Sequence, residues 1–169
     1  MTDYRTARGW ISLPEREALK DYASACASAF EDAKILNIGV EYGASLHCLR
    51  EGAPEAELYG IDLNTKVFEG DDTGAIMFEG DSHGDEAADA LPSGYGLVFL
   101  DADHTEEGLD ADIKLWARRI RKGGYLLFHD YSDWVLHEGV VAAVDSWYDR
   151  VKTWEFIEQV DTLRVYRKK

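Results

Sequence analysis

Positive charge is scarce in this chain. Its 18 Lys and Arg are outnumbered by 33 Asp and Glu, leaving a formal net charge of −15 at pH 7 over 169 residues. A phosphate backbone is held by clustered Lys and Arg, so this balance argues against nucleic acid as a partner. It keeps the chain soluble and repels polyanions. Cysteine is nearly absent. Cys26 and Cys48 lie far apart, in no metal-ligand spacing, each at an apolar position of an expected helix. They read as small core residues in a reducing compartment. No apolar run approaches membrane length, and the first residues lack the apolar core of a signal peptide. The expectation is a cytoplasmic protein with no membrane partner. Repeats, low-complexity tracts and linkers are also missing, and the length suits one domain with one core.

What is present is alternation. Residues 1–11 form an arm of no clear period. Ser12-Leu13-Pro14-Glu15 has the form of a capping box with an early proline. Leu19, Tyr22, Ala23, Cys26 and Phe30 follow at helical spacing, so a helix is expected over 12–30. Short apolar runs at 34–40, 57–63, 75–79, 96–101 and 125–129 read as strands. Helices are expected at 43–51, near 84–91, after an Asp103-x-x-Glu106 cap, and along Val140, Val144, Trp147, Tyr148 and Val151. The polar stretch after residue 63 holds only a poor helix signal. The helix after Glu106 is expected to run to Arg118, Arg119, Arg121 and Lys122, which suit the negative end of its dipole, and to stop at Gly123-Gly124.

The run 96–101, GLVFLD, is almost uninterrupted by polar residues, the pattern of a central parallel strand buried on both faces. The tail over 153–168 reads as two strands joined tightly around Asp161, a hairpin. Alternation of this kind predicts an α/β fold: a doubly wound, Rossmann-like, mostly parallel sheet over 34–151, closed by a C-terminal antiparallel hairpin.

In such a sheet, ligands bind beyond the carboxyl ends of the strands. Here those ends read Gly39-Val40-Glu41-Tyr42-Gly43-Ala44-Ser45, Asp62-Leu63-Asn64, Gly80-Asp81-Ser82-His83, Asp101-Ala102-Asp103-His104 and His129-Asp130-Tyr131. Four of the five place Asp or His directly after an apolar run. One alone is read as a helix cap, but four on one edge point to a site. The glycine turn has the spacing G-x-x-x-G-x-S, not the tight phosphate cradle of dinucleotide binding. Asp62 lies about 20 residues further on, where a carboxylate can accept ribose hydroxyls. A nucleoside ligand without a pyrophosphate fits both features, and S-adenosylmethionine is a better match than NAD.

The runs ILNIGVEYGAS (35–45), YGIDLN (59–64), FLDADHTEEGLDAD (99–112), GGYLLFHDY (123–131) and GVVAAVDSW (139–147) resemble class I methyltransferases. The resemblance is closest to methyltransferase family 24, related to catechol-type and macrocin-type metal-dependent O-methyltransferases. It implies that Gly39, Tyr42, Gly43 and Ser45 line the methionine part of S-adenosylmethionine, that Asp62 holds the ribose with Leu63 beside the adenine, and that Asp81, Ser82 and His83 meet the adenine edge. It implies a divalent metal on Asp101, His129 and Asp130, and a base at His104, three residues after Asp101.

Two departures stand out. Asn37 opens the glycine motif where the family usually has an acid, and it is expected to meet the cofactor without a charge. His129 stands where metal-binding relatives place a carboxylate. Imidazole suits zinc, iron or nickel better than magnesium, so magnesium, another divalent ion or no ion are the alternatives. The expected function is O-methylation of a small hydroxylated acceptor, a sugar, phenol or natural-product intermediate, with Asp101 and His104 catalytic. The acceptor pocket is expected to be roofed by residues 1–11 and the loop 131–139, with Tyr4, Trp10, Tyr131 and Trp134 either stacking on a ring or covering the core edge. With little lid, the expected alternatives are an exposed acceptor, a large one, or one supplied at the interface of a homo-oligomer. The alternatives are a non-catalytic cofactor-binding module acting with a partner chain, or a hydroxylase-like or S-adenosylmethionine-cleaving enzyme on the same fold.

Overall fold

The computed structural model describes residues 2–68, 72–132 and 134–169. The helices are α1 (Leu13–Ala29), α2 (Ala44–Gly52), α3 (Asp85–Ala90), α4 (Glu106–Trp116) and α5 (Glu138–Arg150). The strands are β1 (Lys34–Ile38), β2 (Glu57–Asp62), β3 (Ile76–Glu79), β4 (Tyr95–Leu100), β5 (Ile120–Phe128), β6 (Trp154–Val160) and β7 (Leu163–Lys168). They form one sheet in the order β3-β2-β1-β4-β5-β7-β6. The first five are parallel, whereas β7 runs antiparallel to both β5 and β6. This is the doubly wound sheet with a terminal hairpin that the alternation predicts. No helix among the described residues is long and apolar enough to cross a membrane.

The strand order reverses between β1 and β4, and this switch point lies at the centre of the sheet. All six residues of β4 are buried, as its unbroken apolarity requires. One core packs α4 and α5 on one face through Trp116, Ile113, Val144 and Trp147. The other packs α1 and α2 on the opposite face through Leu19, Cys26, Leu46 and Leu49. The capping box at the start of α1 is present in full: Ser12 Oγ accepts from the Glu15 amide, and a Glu15 carboxylate oxygen accepts from the Ser12 amide.

Two local expectations are corrected. The cap of α4 is Thr105, whose hydroxyl accepts from the Gly108 amide, while Asp103 accepts from the Thr105 amide one turn earlier. A hydroxyl at position 105 reaches N3 better than a carboxylate already closing its own turn. The α4 helix stops at Trp116, and after a short 3-10 turn β5 begins at Ile120, so Arg121, Lys122, Gly123 and Gly124 are strand residues. The register between β4 and β5 shifts there, with Gly123 at φ +85° accommodating the irregularity. Arg119 serves a different helix, donating to the carbonyls of Ala88 and Leu91 at the end of α3, and Arg121 pairs with Asp32. After β2 there is a single 3-10 turn over Thr65–Val67. The rest of that polar stretch, at residues 69–71, lies outside the described residues.

Trp147 joins the hairpin to the main sheet, with its ring 5.6 Å from Phe128, 5.5 Å from Trp154 and 5.2 Å from Tyr166. Truncating a buried Trp to Ala costs about 3–5 kcal/mol. Trp147→Ala is therefore expected to lower the urea-unfolding free energy by that order, and a loss under ~1 kcal/mol would show that the hairpin is held elsewhere.

Candidate active site

All the acidic strand ends open into one cleft of about 1150 Å³ at the switch point. The first wall is the glycine turn after β1. Gly39 has φ +80° and Gly43 φ +86°, and a Cβ at Gly39 would overlap the carbonyl oxygen of Asp101. The β1 and β4 ends can therefore close on each other only because residue 39 has no side chain. Asp62 fixes the turn: one carboxylate oxygen accepts from the amides of Val40 and Glu41, each at 2.9 Å. Its other oxygen accepts from the Asn64 amide at 2.9 Å. Three of about four acceptor positions on the carboxylate are thus engaged, leaving one for a ligand hydroxyl.

Val40, Glu41, Tyr42, Ala44 and Ser45 line the cleft beside Gly39. Gly43 does not line it; it is the N-cap of α2, buried against the Phe68 ring. Asn37 is also absent from the lining. It is fully buried beneath the turn, where its Nδ2 donates to the Gly39 carbonyl at 2.8 Å. The position expected to meet the cofactor instead braces the loop, because the amide can satisfy a backbone carbonyl that a carboxylate cannot.

Leu63, Asp81, Ser82 and His83 form the opposite wall. Asp81 accepts from the His83 amide, and the Ser82 carbonyl accepts from the Trp116 indole. Behind His83 lies Asp112, 1% exposed, with burial pushing its carboxyl up to about 6. The rim carries Trp10, Trp134 and Leu136, all largely exposed. The other two aromatics play packing roles. Tyr4 is buried and bonds Glu17, and Tyr131 bonds Asp145 under the Arg164 guanidinium. Position 133 in that loop lies outside the described residues.

The floor holds the remaining charged residues. His129 is 6% exposed, and both its ring nitrogens face carboxylates. Nδ1 lies 3.2 Å from Asp101 Oδ1 and 3.4 Å from Asp130 Oδ2, and Nε2 lies 3.3 Å from Glu15 Oε2. His104 Nε2 is 3.3 Å from Asp130 Oδ2 and 3.7 Å from Asp101 Oδ1. His137 Nε2 is 3.4 Å from Asp130 Oδ1, while its Nδ1 is 2.7 Å from Ser132 Oγ. Asp130 sits at φ +58°, a left-handed conformation that Asp tolerates better than most side chains.

Among the described residues, two sets of three ligand atoms therefore converge: Asp101 with His129 and Asp130, and His104 with Asp130 and His137. The first set fits a divalent ion. Ligands about 2.0–2.1 Å from a tetrahedral ion stand ~3.3 Å apart, close to the 3.2 and 3.4 Å between its atoms.

Sequence reasoning missed Glu15 and His137. Glu15 carried a signal, but for its local capping role alone; nothing in the sequence brings it to His129. His137 carried none, being one His in a loop. His47 is buried beside Phe68.

Burial alone would push the His129 imidazole down, but hydrogen bonds to Asp101, Asp130 and Glu15 overcome it and hold it up at about 12. Burial likewise opposes the Glu15 charge, yet His129 and the donors of Thr162 and Ser12 bring it down to about 2. Glu15 thus contributes stability present above its ordinary 4.5 and lost as pH falls towards 2. His129 contributes stability complete below 6.5 and lost as pH rises towards 12. With a chelator present, the melting temperature is expected to be highest between these limits, and His129→Gln is expected to flatten the alkaline decline. An unchanged alkaline limb in that variant would contradict the assignment.

The model of methyltransferase family 24, a methyltransferase domain, matches residues 36–131, more than half of the chain. An uncharacterized protein of Acanthamoeba polyphaga mimivirus is 29% identical over 137 residues, covering 71% of this chain and 62% of that protein. Among solved structures, the MycE methyltransferase of the mycinamycin biosynthetic pathway, in complex with Mg, S-adenosylhomocysteine and mycinamycin VI, is similar with a TM-score of 0.73 and 16% identity. That match covers 98% of this chain and 52% of MycE. A methyltransferase of Podospora anserina bound to S-adenosylhomocysteine is similar with a TM-score of 0.65 and 16% identity, over 89% of this chain and 77% of that one. The chain thus spans about half the length of MycE and less than two thirds of the mimivirus protein. At these identities the solved structures establish the fold, and the family model establishes the membership. The chain belongs to methyltransferase family 24, a methyltransferase domain.

Proposed function

We propose that the protein transfers the methyl group of S-adenosylmethionine to a hydroxyl oxygen of a small acceptor held at the Trp10–Trp134 rim. The observation that carries this reading is the meeting of Asp101, His104 and Asp130 on the floor of the same cleft that the glycine turn walls. The turn Gly39–Ser45 receives the methionine part, the remaining acceptor position of Asp62 takes a ribose hydroxyl, and Leu63, Asp81, Ser82 and His83 bound the adenine. The cofactor's sulfonium is cationic, and the cleft lining carries six carboxylates with no Lys or Arg among the described residues. That field suits a sulfonium and disfavours an anionic acceptor.

Methyl transfer is an in-line displacement. The new bond joins the acceptor oxygen to the methyl carbon, and the broken C–S bond leaves its electron pair on sulfur as a neutral thioether. The acceptor proton goes to His104 Nδ1, since Nε2 already faces the carboxylates of Asp130 and Asp101. The Asp101 hydrogen bond, working against burial and together with the charge of Asp130, raises the His104 pKa above its ordinary 6.5. The imidazolium formed on proton transfer is thereby stabilised. Asp101, His129 and Asp130 would hold a divalent ion, which when bound supplies Lewis-acid polarisation and a template for the acceptor. The task left to the protein is alignment, which can supply several kcal/mol by itself.

Titration calorimetry should show S-adenosylhomocysteine binding in the micromolar range, about −8 kcal/mol. His104→Ala should lower kcat by ~10²-fold or more and leave that binding within about threefold. The acid limb of the native kcat/KM profile should lie above 6.5. Absence of cofactor-product binding removes the whole reading. Full turnover by the Ala variant removes the base. Binding with no turnover on any hydroxylated acceptor favours a cofactor-binding module, a reading to which the open, exposed rim also lends itself.

A further inference from the structure

Glu15 has more partners than a helix cap requires. Its two oxygens accept from the Ser12 amide at 2.9 Å, the Thr162 amide at 2.9 Å and the Thr162 hydroxyl at 2.7 Å. The remaining partner is His129 Nε2 at 3.3 Å. The carboxylate is 2% exposed, and α1 brings it in behind the floor of the cleft, on the side of His129 away from Asp101 and Asp130. A carboxylate can only accept, so Nε2 must carry the hydrogen in this contact. With Nε2 committed to Glu15, the nitrogen that can exchange its hydrogen for a metal is Nδ1, the one that points at Asp101 and Asp130.

We propose that Glu15 is the positioning residue of a divalent-metal centre formed by Asp101, Asp130 and His129 Nδ1, and that this centre takes a borderline transition ion such as Co(II) or Zn(II) in preference to magnesium. The ion replaces the hydrogen on Nδ1, which leaves to solvent, while Nε2–H stays with Glu15. A carboxylate behind a ligating imidazole fixes its tautomer and raises its basicity. An imidazole in the ligand set weakens the case for magnesium, which prefers oxygen ligands and water. The site itself rests on the methyltransferase reading; the role of Glu15 and the choice of ion go beyond it.

The test uses the full chain and Co(II) alone, followed by visible absorption, with magnesium as competitor and S-adenosylhomocysteine calorimetry in parallel. The native chain should bind Co(II) with a ligand-field band, and millimolar magnesium should not displace it. Glu15→Gln should weaken Co(II) by ~10–100-fold, because its single carbonyl oxygen cannot serve both Thr162 and His129. Thr162→Val removes a structural partner of Glu15 without touching the His129 contact. It should lower the melting temperature and leave Co(II) affinity within about twofold.

Four results would overturn the proposal. These are no Co(II) binding by the native chain, equal affinity in Glu15→Gln, an equal loss in Thr162→Val, and loss of binding in His137→Ala but not in Glu15→Gln, which would place the ion in the other triad. If S-adenosylhomocysteine binds while Co(II) does not, the metal proposal fails alone. If S-adenosylhomocysteine does not bind, the methyltransferase reading fails first.

Discussion

The buried contact between Glu15 and His129 is the constraint on which the floor of the site depends. A carboxylate and an imidazole, each nearly removed from water, are unfavourable apart and stable only together with their other donors and acceptors. To meet, they require the start of α1, the end of β5 and the hairpin turn at Thr162 to come to one point. None of these is a neighbour of the others in sequence. The contact therefore couples the N-terminal helix and the C-terminal hairpin, two additions at opposite ends of the chain, to the middle of the cleft. The hydrophobic cores on the two faces of the sheet hold the layers together, but they are non-directional and cannot specify where a charge sits to within an ångström.

Much of this architecture is local and hence legible in sequence. The β4 run is apolar throughout because both its faces are covered, and Ser12 with Glu15 announces the start of α1 within four residues. The glycine turn and Asp62 are legible too, since a sharp bend at a strand end leaves few options besides glycine. Their detailed relation was not. Asp62 turns out to spend most of its acceptors on the turn itself, and Asn37 lies under the turn, because backbone amides closer than any ligand compete for the same groups. The expected extension of α4 failed for a related reason. The basic run from Arg118 matched a helix end on charge, yet Arg119 is committed to α3 and Arg121 to Asp32, partners that only the folded chain provides. Glu15 at His129 and His137 at Asp130 are long-range or loop contacts with no periodic signature.

The electrostatic character of the cleft has one source in composition and another in placement. An excess of acid over base is visible in the counts. The fold then gathers carboxylates at the ends of five strands and puts no Lys or Arg among the described lining residues. Histidines are the cations available to this floor, and they are the groups that can exchange a proton or a metal for their charge. The same arrangement that would be repulsive when empty becomes stable when filled by protons, a sulfonium or a divalent ion.

The grip of Asp62 on the amides of Val40 and Glu41 has a consequence for how the cleft meets its ligand. A glycine turn free to fluctuate would have to be ordered by each incoming molecule, at an entropic cost charged against affinity. Here that ordering is done once, during folding, and is shared with the Asn64 amide on the same carboxylate. The wall behaves as a mould already cast: occupancy is decided by fit and charge, and encounter does not have to wait for the loop.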